Sequence, residues 1–168
     1  MPFYKVWTDG SIQRNPKGPG AAASLIENKD GGQRLLVSRR DGDTTSNREE
    51  MHALIQILEY VKWPSSFKVY SDSEYLVLGV NERLIYWLNN DMKTKAGTEV
   101  SNRDLWERIA ELLEERHMVQ MEWVMSHNGD HNNDLVDKLA HDYCKNPELF
   151  KDVNFYDGRK LVKIEKKT

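Results

Sequence analysis

Apolar residues along this chain change their period several times, and each change marks an element. Residues 3–9 (FYKVWTD) alternate as a strand does. Residues 10–20 (GSIQRNPKGPG) are rich in turn formers. Two further strands are expected over 21–28 and 33–40, joined by the hairpin signal Lys29-Asp30-Gly31-Gly32. The spacing of Met51, Leu54, Ile57, Leu58 and Val61 then predicts a helix over 47–62, stopped by Pro64. A short strand over 67–72 leads to Ser73, a natural N-cap for a helix reaching about Asn89. After a polar loop over 90–101 come an amphipathic helix over 104–117, a strand over 121–126 and a helix over 133–145. A meander followed by alternating strands and helices implies a mixed sheet with helices packed on its faces. The tail from Pro147 has no repeat, and its FYDG sequence is a place to turn back onto the body.

Composition narrows the setting. The chain has 168 residues, enough for one domain with a sizeable core. No apolar run approaches the ~20 residues of a membrane span, and the start, MPFYKVWTDGS, enters a strand without a signal-peptide pattern. A single cysteine, Cys144, rules out a disulfide framework and a cysteine zinc site, and points to a reducing, cytoplasmic protein. The net charge of −3 argues against binding nucleic acid through bulk charge, although Lys17, Arg34, Arg39, Arg40, Lys93, Lys95 and Arg103 fall in or beside loops and strand ends.

Four carboxylates resist a plain structural reading. Asp9 interrupts a strand-like run, Asp72 ends another, and Asp137 lies in the first turns of the last helix. Glu50 shares a helix face with Leu54, Ile57 and Val61, so it points toward the sheet. Its neighbour Glu49 shares a more mixed face with Ala53, Gln56 and Tyr60, which makes Glu50 the functional acid. Buried carboxylates need partners, and sites in open sheets form beyond the carboxyl ends of adjacent strands. Four converging acids would bind hard cations such as magnesium or manganese. His127, in SHNGDH, is a candidate proton shuttle. Other motifs fail: 41–52 lacks the glycine and final glutamate of a calcium loop, and no GK[ST] follows the glycines of 10–20.

With these residues in place, the chain resembles type I ribonuclease H of the small bacterial kind. The matching pieces are TDGS (8–11), NP-x-GPG (15–20), T-x-NR-x-E (45–50), SDSEY (71–75), DLW (104–106) and H-x-G-x3-N-x3-D-x-LA (127–140). The resemblance covers roughly 3–145, leaving a catalytic domain over 1–146 and an extension over 147–168. It implies an α/β fold with a five-stranded mixed sheet, three antiparallel strands and then two parallel ones, flanked by helices. It also implies a monomeric endonuclease that hydrolyses the RNA strand of RNA–DNA hybrids with two magnesium ions, for which manganese can substitute, leaving 3′-hydroxyl and 5′-phosphate ends. By the same resemblance Asp9 would bridge both metals, Glu50 and Asp72 would complete one site, Asp137 would hold the other, and His127 would assist proton transfer. Gly10, Ser11, Asn15, Thr45, Ser46, Asn47 and Glu74 occupy positions that touch the hybrid in relatives.

The chain departs from the family pattern at Lys17, at Ala21-Ala22, at Ser46, at Glu74 and at Ser126, which stands where a glycine precedes the histidine. The region matching the basic handle of bacterial relatives, 81–101, mixes Arg83, Lys93 and Lys95 with Glu82, Asp91 and Glu99. A non-catalytic hybrid-binding module is disfavoured by the intact acids. An integrase or junction nuclease of the same fold is disfavoured by the downstream histidine motif.

Overall fold

In the computed structural model, residues 1–14, 17–150, 154–156 and 159–162 are described. Three antiparallel strands come first: β1 (Phe3–Ile12), β2 (Gly20–Glu27) and β3 (Gln33–Arg40). Helix α1 (Ser46–Tyr60) then crosses over to β4 (Ser65–Ser71), which lies parallel to β1. A helical stretch, α4 (Arg103–Glu115) and β5 (His117–Trp123) follow, with β5 parallel to β4. Helix α5 (His131–Lys145) closes this body. The five strands lie in the order β3-β2-β1-β4-β5, the mixed sheet expected from the sequence. Two short strands from the tail, β6 (Asn154–Tyr156) and β7 (Arg159–Val162), extend the sheet, with β7 antiparallel to β3.

Strand alternation sorts the two faces. Val6, Ile26 and Leu36 pack with α1 and α4, whereas Trp7, Ala21, Ala23, Leu25, Leu35 and Val37 pack beneath α5 with Val136, Ala140 and Tyr143. The sheet is thus covered on both sides, with α1 and α5 on opposite faces. Thr45 caps α1 by accepting from the Arg48 amide, and Asp130 caps α5 by accepting from Asn132 and Asn133.

Several boundaries differ from expectation. Strand β1 does not end at Asp9 but runs through Gly10 to Ile12, held by pairs such as Gly10↔Ala22. The helix after Ser73 is α2 (Glu74–Leu78), a π turn (Gly79–Arg83) and α3 (Leu84–Leu88). Gly79, at the start of the π turn, lets the Trp106 ring pack against the backbone: a Cβ there would stand 2.0 Å from that ring. The π turn also carries Asn81, whose amide donates to Met121 O and accepts from Met121 N at 2.8 and 3.0 Å, closing part of the β5 edge. Strand β5 begins at His117 and ends at Trp123, leaving Ser126 and His127 in a loop.

Candidate metal centre

Register places the first acids. Parallel pairing of β1 with β4 ends at Trp7↔Tyr70, two residues before Asp9 and Asp72. Both carboxylates therefore lie at the same level, where the strands part. Helix α1 brings Glu50 to this gap because Gly10 has no side chain: a Cβ there would stand 2.6 Å from Glu49 C and from Glu50 N. The helix backbone rests directly on β1 beside Asp9.

Asp9, Glu50 and Asp72 each present a carboxylate oxygen within 4.8 Å of the others. Asp9 and Glu50 are buried, and Glu50 Oε2 has no hydrogen-bond partner. Among the described residues, the ion pairs leave out all three acids. Burial, and then the charge of Glu50, hold the Asp9 carboxyl well above its ordinary range. Burial likewise raises Glu50, with the Asp72 charge adding to it. Asp72 is raised by burial too, against a hydrogen bond from the Ser126 hydroxyl that favours its ionised form. The arrangement crowds three carboxyls together with no ion-pair partner among the described residues, so that burial and mutual repulsion keep protons on Asp9 and Glu50. An orphaned, buried carboxylate oxygen beside two more carboxylates fits a hard divalent cation.

Asp137 joins from the opposite face of the sheet, on α5, near enough to help raise the Asp9 carboxyl. It stands in the helix's second turn, within the first turns where the sequence put it. His127 Nδ1 lies 3.8 Å from Asp137 Oδ2, on an exposed loop where His127 adopts φ 55° and Gly129 φ 78°. Asp9, Glu50 and Asp72 thus form the close cluster, with Asp137 beside Asp9 and His127 beside Asp137.

The residues expected at a substrate surface flank these acids. Ser11 follows Gly10 on β1, Thr45–Asn47 open α1, and exposed Glu74 opens α2 directly after Asp72. Asn15 lies outside the described residues. Gly10 serves the close approach of α1, and the Thr45 hydroxyl caps that helix. One expectation is corrected. Glu49 does not lie on a mixed surface but is fully buried, 2.7 Å from Arg40 Nε and 2.9 Å from the Thr44 hydroxyl. Sequence periodicity could not show this, because Arg40 comes from β3. Ser126, in sequence only a departure from the family pattern, has its hydroxyl near enough to Asp72 to favour that carboxyl's ionised form.

The ribonuclease H family model, described as "RNase H", matches residues 3–145. The chain belongs to the ribonuclease H family. Among its relatives is the ribonuclease HI of Xylella fastidiosa, 41% identical over 140 residues that cover 83% of this chain and 91% of that protein. The ribonuclease H of Xanthomonas euvesicatoria is 38% identical over 83% of this chain and 91% of its own length. The solved structure of LC9-RNase H1, described as a type 1 RNase H with the type 2 active-site motif, matches with a TM-score of 0.78 at 24% identity, over 96% of this chain and 77% of that one. LC11-RNase H1, solved in complex with an RNA/DNA hybrid, matches with a TM-score of 0.58 at 22% identity, over 82% and 96%. At such identities the structural likeness is one of fold. The sequence relatives make this protein a ribonuclease H enzyme.

Proposed function

We propose that this ribonuclease H hydrolyses the RNA strand of RNA–DNA hybrids with two divalent cations, magnesium or manganese, leaving 3′-hydroxyl and 5′-phosphate ends. The observation that carries the reading is the convergence of Asp9, Glu50 and Asp72, with Glu50 Oε2 buried and unpartnered. A pair of bound cations supplies an acidified water and charge stabilisation for the leaving oxygen. Asp9, central between Glu50 and Asp137, would serve both positions. Glu50 and Asp72 would complete one, and Asp137 the other. His127, exposed and beside Asp137, would carry a proton to or from the reaction at its imidazole. Ser11, Asn15, Thr45, Ser46, Asn47 and Glu74, with the Gly10 backbone, would face the hybrid, where short polar groups suit the donor and acceptor character of a 2′-hydroxyl.

Residues 1–146 would form the catalytic domain and 147–168 an extension to it. A monomer in a reducing, cytoplasmic compartment agrees with the buried free thiol of Cys144. No helix among the described residues is long and apolar enough to cross a membrane.

The test is a hybrid labelled on either strand, with duplex DNA and duplex RNA alongside. We expect magnesium-dependent cleavage of the RNA strand of the hybrid alone, with ligatable 5′-phosphate ends. Cleavage that persists in excess chelator, or nicking of the DNA strand, would refute the reading.

A further inference from the structure

The polar stripe of α1 carries an inference beyond the acids themselves. Glu49 and Gln56 lie two helical turns apart and so share one side of the helix. Both are buried under the sheet-facing side of α1, and one continuous polar chain joins them. The Thr44 hydroxyl donates to Glu49 Oε2 at 2.9 Å, and Arg40 Nε to Glu49 Oε1 at 2.7 Å. Arg40 Nη2 donates to Ser38 O and Oγ at 3.1 and 3.0 Å. The Ser38 hydroxyl donates to Gln56 Oε1 at 2.6 Å, and Gln56 Nε2 donates to Ser24 Oγ at 2.7 Å and to Leu36 O at 3.2 Å. The Ser24 hydroxyl closes the chain on Ala53 O, back in α1, at 2.6 Å. Each bond is directional, whereas the apolar side of α1 would tolerate small rotations about the helix axis.

Glu50 is next to Glu49, about 100° around the helix. The peptide joining them is the point at which α1 rests on Gly10, and the Glu49 side chain also fills the space above Gly20, where a Cβ would stand 2.7 Å from Glu49 Cγ. Any rotation that relieves Glu49 is therefore passed directly to Glu50. We propose that Glu49 is a positioning residue for Glu50: through Arg40 and Thr44 it fixes the rotation of α1 over β1 and thereby the place of the Glu50 carboxylate among Asp9 and Asp72. The proposal rests on the metal-binding reading above.

The test is Mn2+ binding by titration calorimetry, without substrate, to the wild type and to Glu49→Gln, Arg40→Met and Thr44→Val, each checked for a folded circular-dichroism spectrum. If charge alone linked these residues to the cation, removing Glu49 would weaken binding and removing Arg40 would strengthen it. A positioning role gives both changes the same sign. We expect about tenfold weaker binding in Glu49→Gln and Arg40→Met, the low end for groups that orient metal ligands. Thr44→Val changes no charge and should weaken binding about threefold, as the loss of one hydrogen bond does. It keeps the test decisive if a charge variant does not fold. The KM for hybrid should stay constant while the Mn2+ concentration for half-maximal rate rises in step. Tighter or unchanged Mn2+ binding by Arg40→Met, or unchanged binding by Thr44→Val where Arg40→Met fails to fold, would overturn the positioning role. A wild type that binds no Mn2+ would instead overturn the metal reading, and this role with it.

Discussion

Glu49 and Glu50 stand side by side where the first turn of α1 passes into the second, and both are buried, yet their partners differ in kind. Glu49 has an arginine and a hydroxyl from its own chain, so both its oxygens are satisfied. Glu50 faces two other carboxylates and keeps one oxygen without a partner. A buried charge that the protein neutralises holds a helix in place. A buried carboxyl that it leaves without a counter-charge holds a proton instead, and ionises readily only when a cation from solution arrives. Adjacent residues of the same type thus divide into scaffold and site, according to which elements the fold brings opposite them.

The sharpest way to break this contrast is to remove the acid that both cation positions would share. Asp9→Asn should reduce turnover by about 10³-fold or more, on the order of 4 kcal/mol of barrier, with hybrid binding intact. Single-turnover cleavage above about a tenth of the wild-type rate would contradict the bridging role. Next comes the pair itself. Glu50→Gln should approach the Asp9→Asn loss, yet raise the stability of metal-free protein above neutral pH by about 1 kcal/mol, because it removes a buried carboxyl whose ionisation the fold penalises. Glu49→Gln should do the opposite. It should leave activity at saturating metal within about tenfold, and lower stability by about 2 kcal/mol, below the usual loss for a broken buried pair because the Arg40 side chain is 24% exposed. Urea unfolding and turnover measured on the same preparations would show whether the two orders cross.

How much of this was legible in the sequence depends on the range of the interactions. Glu50 was assignable because its helix face is set by neighbours four, seven and eleven residues away. Asp72 was assignable because it ends an apolar run before a capping serine. The burial of Glu49 was not, since its partner Arg40 lies on β3 and no local pattern links them. The continuation of β1 through Gly10 was missed because glycine after aspartate reads as a turn, whereas here it admits the α1 backbone. The need for glycine at 79 follows from Trp106, again from a distant element. Strands β6 and β7 are three and four residues long, too short for alternation to register.

The contrast extends to surface charge, where effects should be smaller. His127→Ala should slow turnover about tenfold and leave it measurable, below the usual ~10²–10⁴-fold of a positioned proton carrier because a metal-bound water would already be acidified. Complete loss with metal binding preserved would contradict an auxiliary role. For the hybrid, the internal ion pairs narrow the choice of phosphate contacts. Arg40 is held by Glu49, Arg39 by Asp41 and the Cys144 carbonyl, and Arg103 by Glu99 and Glu107. Lys93 and Lys95 carry no such ion pair among the described residues, and Lys95 lies over the Tyr86 ring at 5.9 Å. Changing both to Ala in a catalytically dead variant should reduce the slope of log affinity against log salt by about 1 to 2. An unchanged slope would place the phosphate contacts elsewhere, with Lys17 the leading alternative.

The most direct measurement is the stability of chelator-treated protein across pH, with and without magnesium, for the wild type and Asp9→Asn. The carboxyls of Asp9 and Glu50 lie above their ordinary values of 3.8 and 4.5, so the folded form binds these protons more tightly than the unfolded chain does. Their contribution is therefore fully present below those ordinary values and is lost as pH rises through the raised ones. Relative to Asp9→Asn, the metal-free wild type should lose stability steadily above about pH 4, and magnesium at neutral pH should restore it in the wild type alone. Equal pH profiles in the two proteins, or the same magnesium gain in both, would contradict the claim that these acids form a cation site.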